Sequence, residues 1–196
     1  MPSRGQPGGG VVFRAATLAD VDDIVALVES AYRGTSSEVG WTTEAHLLDG
    51  QRTDPAGVRE VINRREGRML LASDAGTGEL VGCCQLERRP GGEGYFGMFA
   101  VRPGRQGGGV GRAVVAEAER IAVEEWGARI MTMTVLAPRL DLIGWYERLG
   151  YGRTGATAPF PYSDERYGLP KVADLVFVVL AKAFRPSVPQ DHRPAP

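Results

Sequence analysis

Lysine is almost missing from this 196-residue chain, and none occurs before Lys171. A P-loop needs Gly-Lys followed by Ser or Thr, so the nucleoside triphosphatases built on that loop are excluded. Histidine is equally scarce, with only His46 and His192. A lone histidine among helix-forming residues is more often structural than a base. No Cys/His/Asp grouping has metal-ligand spacing, and no Ser-His-Asp constellation is indicated, so metal and acyl-enzyme mechanisms find no support. The two cysteines, Cys83 and Cys84, are neighbours in a strand-like run. They point to opposite faces there and do not make a structural disulfide. Neither sign of charge dominates, with 23 basic against 24 acidic residues. There is no whole-protein field to draw in nucleic acid or an anionic membrane. No apolar run approaches bilayer length, and residues 1–10 lack the apolar centre of a signal peptide. These absences describe a soluble, cytoplasmic protein with neither nucleic-acid nor membrane partners.

What is present suffices for one core: 43% of the residues are hydrophobic, and the length favours a single domain. Residues 1–10 and 185–196 are rich in Gly or Pro and are expected to be flexible tails flanking a domain over 11–184. The domain opens with a strand at 11–14. Thr17 then caps a helix whose Leu18, Val21, Ile24, Val25 and Val28 share one face. Helical stretches are expected at 44–48 and at 55–64, the latter with Pro55 in its first turn. Strands at 69–73, 80–87 and 94–101 are separated by Gly-rich hairpin turns. Helical periodicity runs from 109 to 125, a strand from 129 to 135, and a short helix from 142 to 149, closed by Gly150. Strands at 151–158 and 173–181 finish the domain. The fold class is α/β (α+β), with a mixed, mostly antiparallel sheet of six to seven strands flanked by helices.

The sharpest local signal is Val101-Arg-Pro-Gly-Arg-Gln-Gly-Gly-Gly-Val-Gly-Arg112, placed between an apolar strand and an amphipathic helix. Glycines let the backbone turn and aim successive N–H groups at one point, and a helix starting there adds its free amides and dipole. A diphosphate-containing ligand is the natural candidate. The dinucleotide fingerprint G-x-G-x-x-G fails, because Arg112 and Val114 stand where it demands Gly or Ala.

The same residues satisfy Gln-x-x-Gly-x-Gly through Gln106, Gly109 and Gly111. Here the chain resembles the GCN5-related N-acetyltransferase (GNAT) superfamily, over roughly residues 11–184, which implies the acyl-CoA N-acyltransferase fold. The resemblance implies acetyl-CoA as cosubstrate, its pyrophosphate held by the amides of Gln106, Gly107, Gly108, Gly109, Val110, Gly111 and Arg112. The strand residues Phe99, Ala100 and Val101 would pair with the pantetheine arm. Leu142-Ile-Gly-Trp-Tyr-Glu-Arg-Leu-Gly-Tyr151 is similar to the family's later motif, in which Tyr146 is the matching residue. A phenol of pKa about 10 is near an alkyl thiol in acidity and suits a general acid for the leaving thiolate; on pattern alone a core aromatic is the better reading of Tyr146, and the match to the family's motif reverses that. Family members often carry Asn seven residues before this tyrosine, where this chain has Arg139.

An acceptor amine must lose a proton before it attacks, so the site needs a base or a water chain. Two carboxylates stand as candidates: Glu93, at the start of the strand leading to Phe99, and Glu44, within the segment 40–46 that resembles the family's acceptor-pocket wall. The aromatic and Pro-rich segment 158–170 reads either as a rigid connection or as an acceptor wall, with Tyr162, Asp164 and Arg166 available to a second polar group. The expected function is acetyl transfer to a small-molecule amine by direct attack. A protein or peptide acetyltransferase and a noncatalytic acyl-CoA sensor are the alternatives. A homodimer is the family-level expectation.

Overall fold

Residues 10–33 and 44–184, apart from the side chain of Arg166, are described by a computed structural model. The expected tails, save Gly10, lie outside these residues. Seven strands form one sheet: β1 Val11–Ala15, β3 Gly67–Asp74, β4 Leu80–Arg89, β5 Glu93–Val101, β6 Ile130–Leu136, β7 Gly152–Pro159 and β9 Val176–Ala183. Their order is β1-β3-β4-β5-β6-β9-β7, and a separate pair joins β2 Leu48–Asp49 to β8 Leu169–Pro170. Every neighbouring pair is antiparallel except β5 and β6.

Alternation along the central strands supplies both faces with apolar groups. Leu70 and Ala72 of β3 join Leu86 and Phe96 in one cluster, while Met69 and Leu71 enter the other. The first face is covered by α3 Val110–Arg120 and α4 Leu140–Arg148, through Val114, Val115, Ala118 and Ile143. The second is covered by α1 Val21–Tyr32 and α2 Pro55–Asn63, through Ile24, Leu27, Val28 and Val58. Burying four such side chains fully stabilises the fold by about 1.5–3 kcal/mol each. Asp54 caps α2 by accepting from the Gly57 amide at 2.6 Å, with Pro55 next in line, as a first-turn proline favours.

Three local expectations are corrected. Residues 44–48 do not form a helix. Leu47 and Leu48 donate back to the Glu44 carbonyl in one turn, and Leu48 then pairs with Pro170 as a strand. Leu47, Leu48, Leu136, Phe160 and Leu175 make a third apolar cluster, so tertiary burial overrides the helical spacing. Leu18 belongs to a 3₁₀ turn and is exposed, so the inner face of α1 begins at Val21. The helix expected through residue 125 changes at Ile121 to a π-turn, Ile121–Glu125. Among the described residues no helix is long and apolar enough to cross a membrane.

Candidate active site

The site begins with an irregularity in β5. Gln85 of β4 lies opposite Gly97 and Cys83 opposite Ala100, so Cys84 alone faces both Met98 and Phe99. This is a β-bulge, and Met98 absorbs it with φ +40°, an uncommon backbone for a side chain other than glycine. The extra residue reverses the strand's alternation. Phe96 and Phe99, three apart, therefore face the same core cluster, while Met98 packs against the opposite one.

The sheet opens just ahead of the bulge. β5 and β6 pair only over Glu93–Ile130, Gly94–Met131 and Tyr95–Thr132. Past that point each strand lacks the other as partner, and the Tyr95 hydroxyl meets Thr134 Oγ1 at 3.2 Å across the opening. β5 amides turned away from β4 therefore have no acceptor on β6. The bulge stands between two cavities. One, of about 500 Å³, is lined by Phe99, Val101, the glycine loop and Trp145. The other, of about 550 Å³, includes Tyr95, Gly97, Met98, Thr134 and Leu136 in its walls.

The first cavity is built largely from backbone. The strand end Val101 is tied to the loop by the Gln106 side-chain amide, which donates to the Val101 carbonyl at 3.0 Å. Gly107 and Gly109 adopt φ +83° and +85°, in the left-handed region that glycine enters without penalty. Gly109 is the N-cap of α3 and brings no capping side chain, so the amides of its first turn keep no internal acceptor. A Cβ at Gly111 would stand 3.3 Å from Phe99 Cζ and 3.4 Å from Trp145 Cζ2, so glycine keeps this wall thin. Phe99 and Trp145 stack with centroids 5.9 Å apart and planes 10° from parallel. Arg112, in the helix's first turn, lines the cavity and forms no ion pair among the described residues; a cation there opposes the helix dipole unless an anion lies between. A donor set of free amides, one cation and a flat apolar wall fits a pyrophosphate followed by an apolar arm. Of the residues expected to hold the ligand, Phe99, Val101, Gln106, Gly107, Gly109, Gly111 and Arg112 line this cavity, while Gly108 is outside the lining and Ala100 and Val110 are buried in the core; Gln106 has the added duty of bracing the loop.

Tyr146 of α4 packs behind the Phe99 and Trp145 walls of this cavity and is not itself part of the lining. It is buried, its ring 4.9 Å from Trp145, 6.4 Å from Phe99 and 5.9 Å from Tyr151 by centroid. Burial raises its phenol well above the ordinary value, with the Tyr32 and Tyr151 hydroxyls adding to the effect. It is a neutral hydrogen-bond donor. From the other face the Tyr32 hydroxyl donates to the Phe99 carbonyl in the bulge, and burial pushes that phenol up to about 12. Tyr32 was not singled out from the sequence; it reads there as the last apolar position of α1, and only the fold brings it to residue 99.

The second cavity is built from side chains. Glu44 lines it, buried and held by Arg33 Nη1 at 3.0 Å and by Arg52 Nε at 3.6 Å. Glu93 does not reach it. Its carboxylate accepts from the Thr132 hydroxyl at 2.6 Å and from Arg89 at 3.2 Å, at the paired end of β5. Six residues of strand separate it from Phe99, about 20 Å. The segment 158–170 does form a wall, through Ala158, Pro159, Phe160, Pro161 and Tyr167. Tyr162 instead accepts from the Leu175 amide at 2.6 Å, Asp164 is absent from the lining, and the Arg166 side chain lies outside the described residues. His46 is exposed. Arg139, which stands in place of the asparagine, is buried and pairs with Asp141 at 3.1 Å.

A mixed sheet parted beside a strand bulge, with a glycine loop leading into a helix, defines an acyl-CoA-dependent acyltransferase fold. The model of the acetyltransferase (GNAT) family matches residues 27–151, and the chain belongs to that family. It is an N-acetyltransferase, with acetyl-CoA as the acyl donor that membership brings. Solved structures agree in fold. A ribosomal-protein-alanine N-acetyltransferase from Brucella melitensis superposes with TM-score 0.64 at 21% identity, covering 88% of this chain and 99% of that one. The spermidine/spermine N-acetyltransferase SpeG from Vibrio cholerae gives 0.62 at 14%, covering 88% and 92%. An IAA acetyltransferase from Bacillus cereus ATCC 14579 gives 0.62 at 13%, covering 89% and 100%. No curated protein matches the chain.

Proposed function

We propose that this enzyme acetylates the amine of a small molecule, with the two substrates entering from opposite faces of the sheet and meeting at residues 97–99. The observation that carries the reading is the position of the bulge, whose consecutive residues Met98 and Phe99 line different cavities. Acetyl-CoA supplies an activated thioester when bound. The loop amides and Arg112 hold its phosphates, and the unpartnered β5 amides orient the arm and polarise the acyl oxygen. Tyr146 donates its proton, or a hydrogen bond, to the sulfur as the carbon–sulfur bond lengthens.

Of the two candidate carboxylates, Glu44 is the one beside the acceptor. It already serves two guanidinium groups, Arg33 and Arg52. We therefore assign it to holding Arg52 in place, and the amine's proton to water in the open cavity. Glu93 is assigned to bracing the paired ends of β5 and β6. The acceptor cavity's volume falls in the range of small-ligand pockets. Both cysteines are buried, unpaired thiols, in keeping with a reducing cytoplasm.

Thiol release from acetyl-CoA, followed with a panel of small amines and a panel of peptides, tests this. Turnover confined to small amines is expected. Turnover confined to peptides would overturn the substrate class, and binding of coenzyme A without turnover on either panel would favour a sensor.

A further inference from the structure

The walls of the acceptor cavity carry four carboxylates and three guanidinium groups, and the pattern of their pairing is uneven. Each carboxylate is committed. Glu44 meets Arg33 and Arg52, and Asp54 accepts from the Gly57 amide and from Gln51 at 3.3 Å. Glu60 pairs with Arg64 at 3.0 Å, and Glu87 with Arg64 at 2.7 Å and Arg89 at 3.5 Å. Two of the cations are committed as well: Arg64 to those two carboxylates, and Arg89 to Glu87 and to Glu93 at 3.2 Å.

Arg52 differs. Among the described residues its sole ion pair runs from Nε to Glu44, and that carboxylate is shared with the buried Arg33. Arg33 Nε and Nη2 and Arg52 Nε are buried without a hydrogen bond, an excess of donors that costs stability until an acceptor arrives. The Nη groups of Arg52 have no hydrogen bond or ion pair among the described residues, and the residue, 24% exposed by side chain, lines the cavity. Its guanidinium is held in orientation over the Tyr32 ring, 5.3 Å from the centroid. The hydroxyl of that same ring donates to Phe99 in the bulge. One phenol ring is therefore all that separates the open fork of Arg52 from the point where the two cavities meet.

We infer that the acceptor is a short amino-carboxylate, such as a free amino acid, whose carboxylate is read by the Nη fork of Arg52 while its amine reaches the bulge. The assignment rests on the acetyl-transfer reading above and narrows it. A planar fork matches a carboxylate with two parallel hydrogen bonds. The spacing requires the amine and the carboxylate to be a few carbons apart. A polyamine meets a cation at this position and is disfavoured.

The test compares three acceptor sets on the intact chain: amino acids, their carboxamides, and the corresponding amines lacking the carboxyl carbon. Binding of each set to the protein saturated with coenzyme A is measured alongside turnover. Amino acids are expected to show kcat/KM about 10- to 100-fold above their carboxamides. Arg52→Gln removes that preference through KM, and Arg52→Lys, which keeps the charge but not the fork, recovers part of it. Melting curves confirm that both variants fold, and the carboxamides supply an internal reference within each variant. Equal or better use of carboxamides or polyamines, or an unchanged amino-acid KM in Arg52→Gln, would overturn the inference and leave acetyl transfer standing. A folded protein that neither binds nor acetylates any amino acid also overturns it. Failure to bind acetyl-CoA at all would remove the transferase reading separately.

Discussion

The two sides of the site are made differently. The donor side uses main-chain groups from one continuous stretch, Phe99 to Arg112, plus Trp145 from α4. The acceptor side gathers charged side chains from the turn at 44–48, from the loop before α2, from α2 and its end, and from β4, with uncharged walls from β5 and the β7–β8 connection. Backbone amides present the same chemistry whatever the side chain, so a phosphate site needs only a local shape. An acceptor pocket must distinguish one amine from another, and that calls on side chains that the fold assembles from distant places.

Replacing Tyr146 by Phe separates chemistry from binding on the donor side. A fall in kcat of about 100-fold or more is expected, while the Kd for acetyl-CoA by calorimetry stays within about 2-fold. Because burial raises this phenol's pKa, the donor form persists at high pH, and the wild-type kcat profile shows no alkaline loss up to about pH 10. Unchanged turnover in Tyr146→Phe would return the residue to a packing role.

Gly109→Glu attacks the backbone character of the loop. It places a side chain at φ +85° and a negative charge beside the phosphates, and is expected to raise the acetyl-CoA Kd about 10- to 100-fold. A normal Kd would move the cofactor away from residues 106–112.

Glu44 and Glu93 sharpen the contrast on the acceptor side. Glu44→Gln loosens Arg52 and is expected to raise the acceptor KM about 10-fold with a smaller change in kcat; loss of a general base would instead lower kcat by about 10²–10⁴. Removing the buried anion altogether, in Glu44→Ala, strands Arg33 and costs about 3–5 kcal/mol in denaturant unfolding. Glu93→Gln is expected to change kcat/KM by less than about 2-fold, since its contacts lie at the far end of β5. The smallest effect concerns the cysteines. Burial pushes the Cys83 thiol up to about 12 and raises Cys84 as well. Neither is expected to react with a thiol reagent in the native protein, and titration of even one would mean that the sheet opens.

The strand, glycine loop and helix from 98 to 120 were legible in the sequence, because hydrophobic period and glycine placement are local properties. So was α2, marked by Pro55 in its first turn. The turn at 44–48 was misread as a helix, since its leucines answer to Phe160 and Leu175, more than a hundred residues on. Of the proposed carboxylates, nothing near Glu93 or Glu44 in the chain told which would face the acceptor.

By its own order of residues this chain determined a sheet flanked by helices and a glycine loop that leads into a helix, because each follows from spacing over a few turns of backbone. The tertiary structure alone decided that β5 and β6 part after three paired residues, that Met98 takes a positive φ, and that Arg52 comes to rest over Tyr32 with an open fork. Those outcomes depend on register and packing between segments far apart in sequence, where a shift of one residue turns a side chain to the other face.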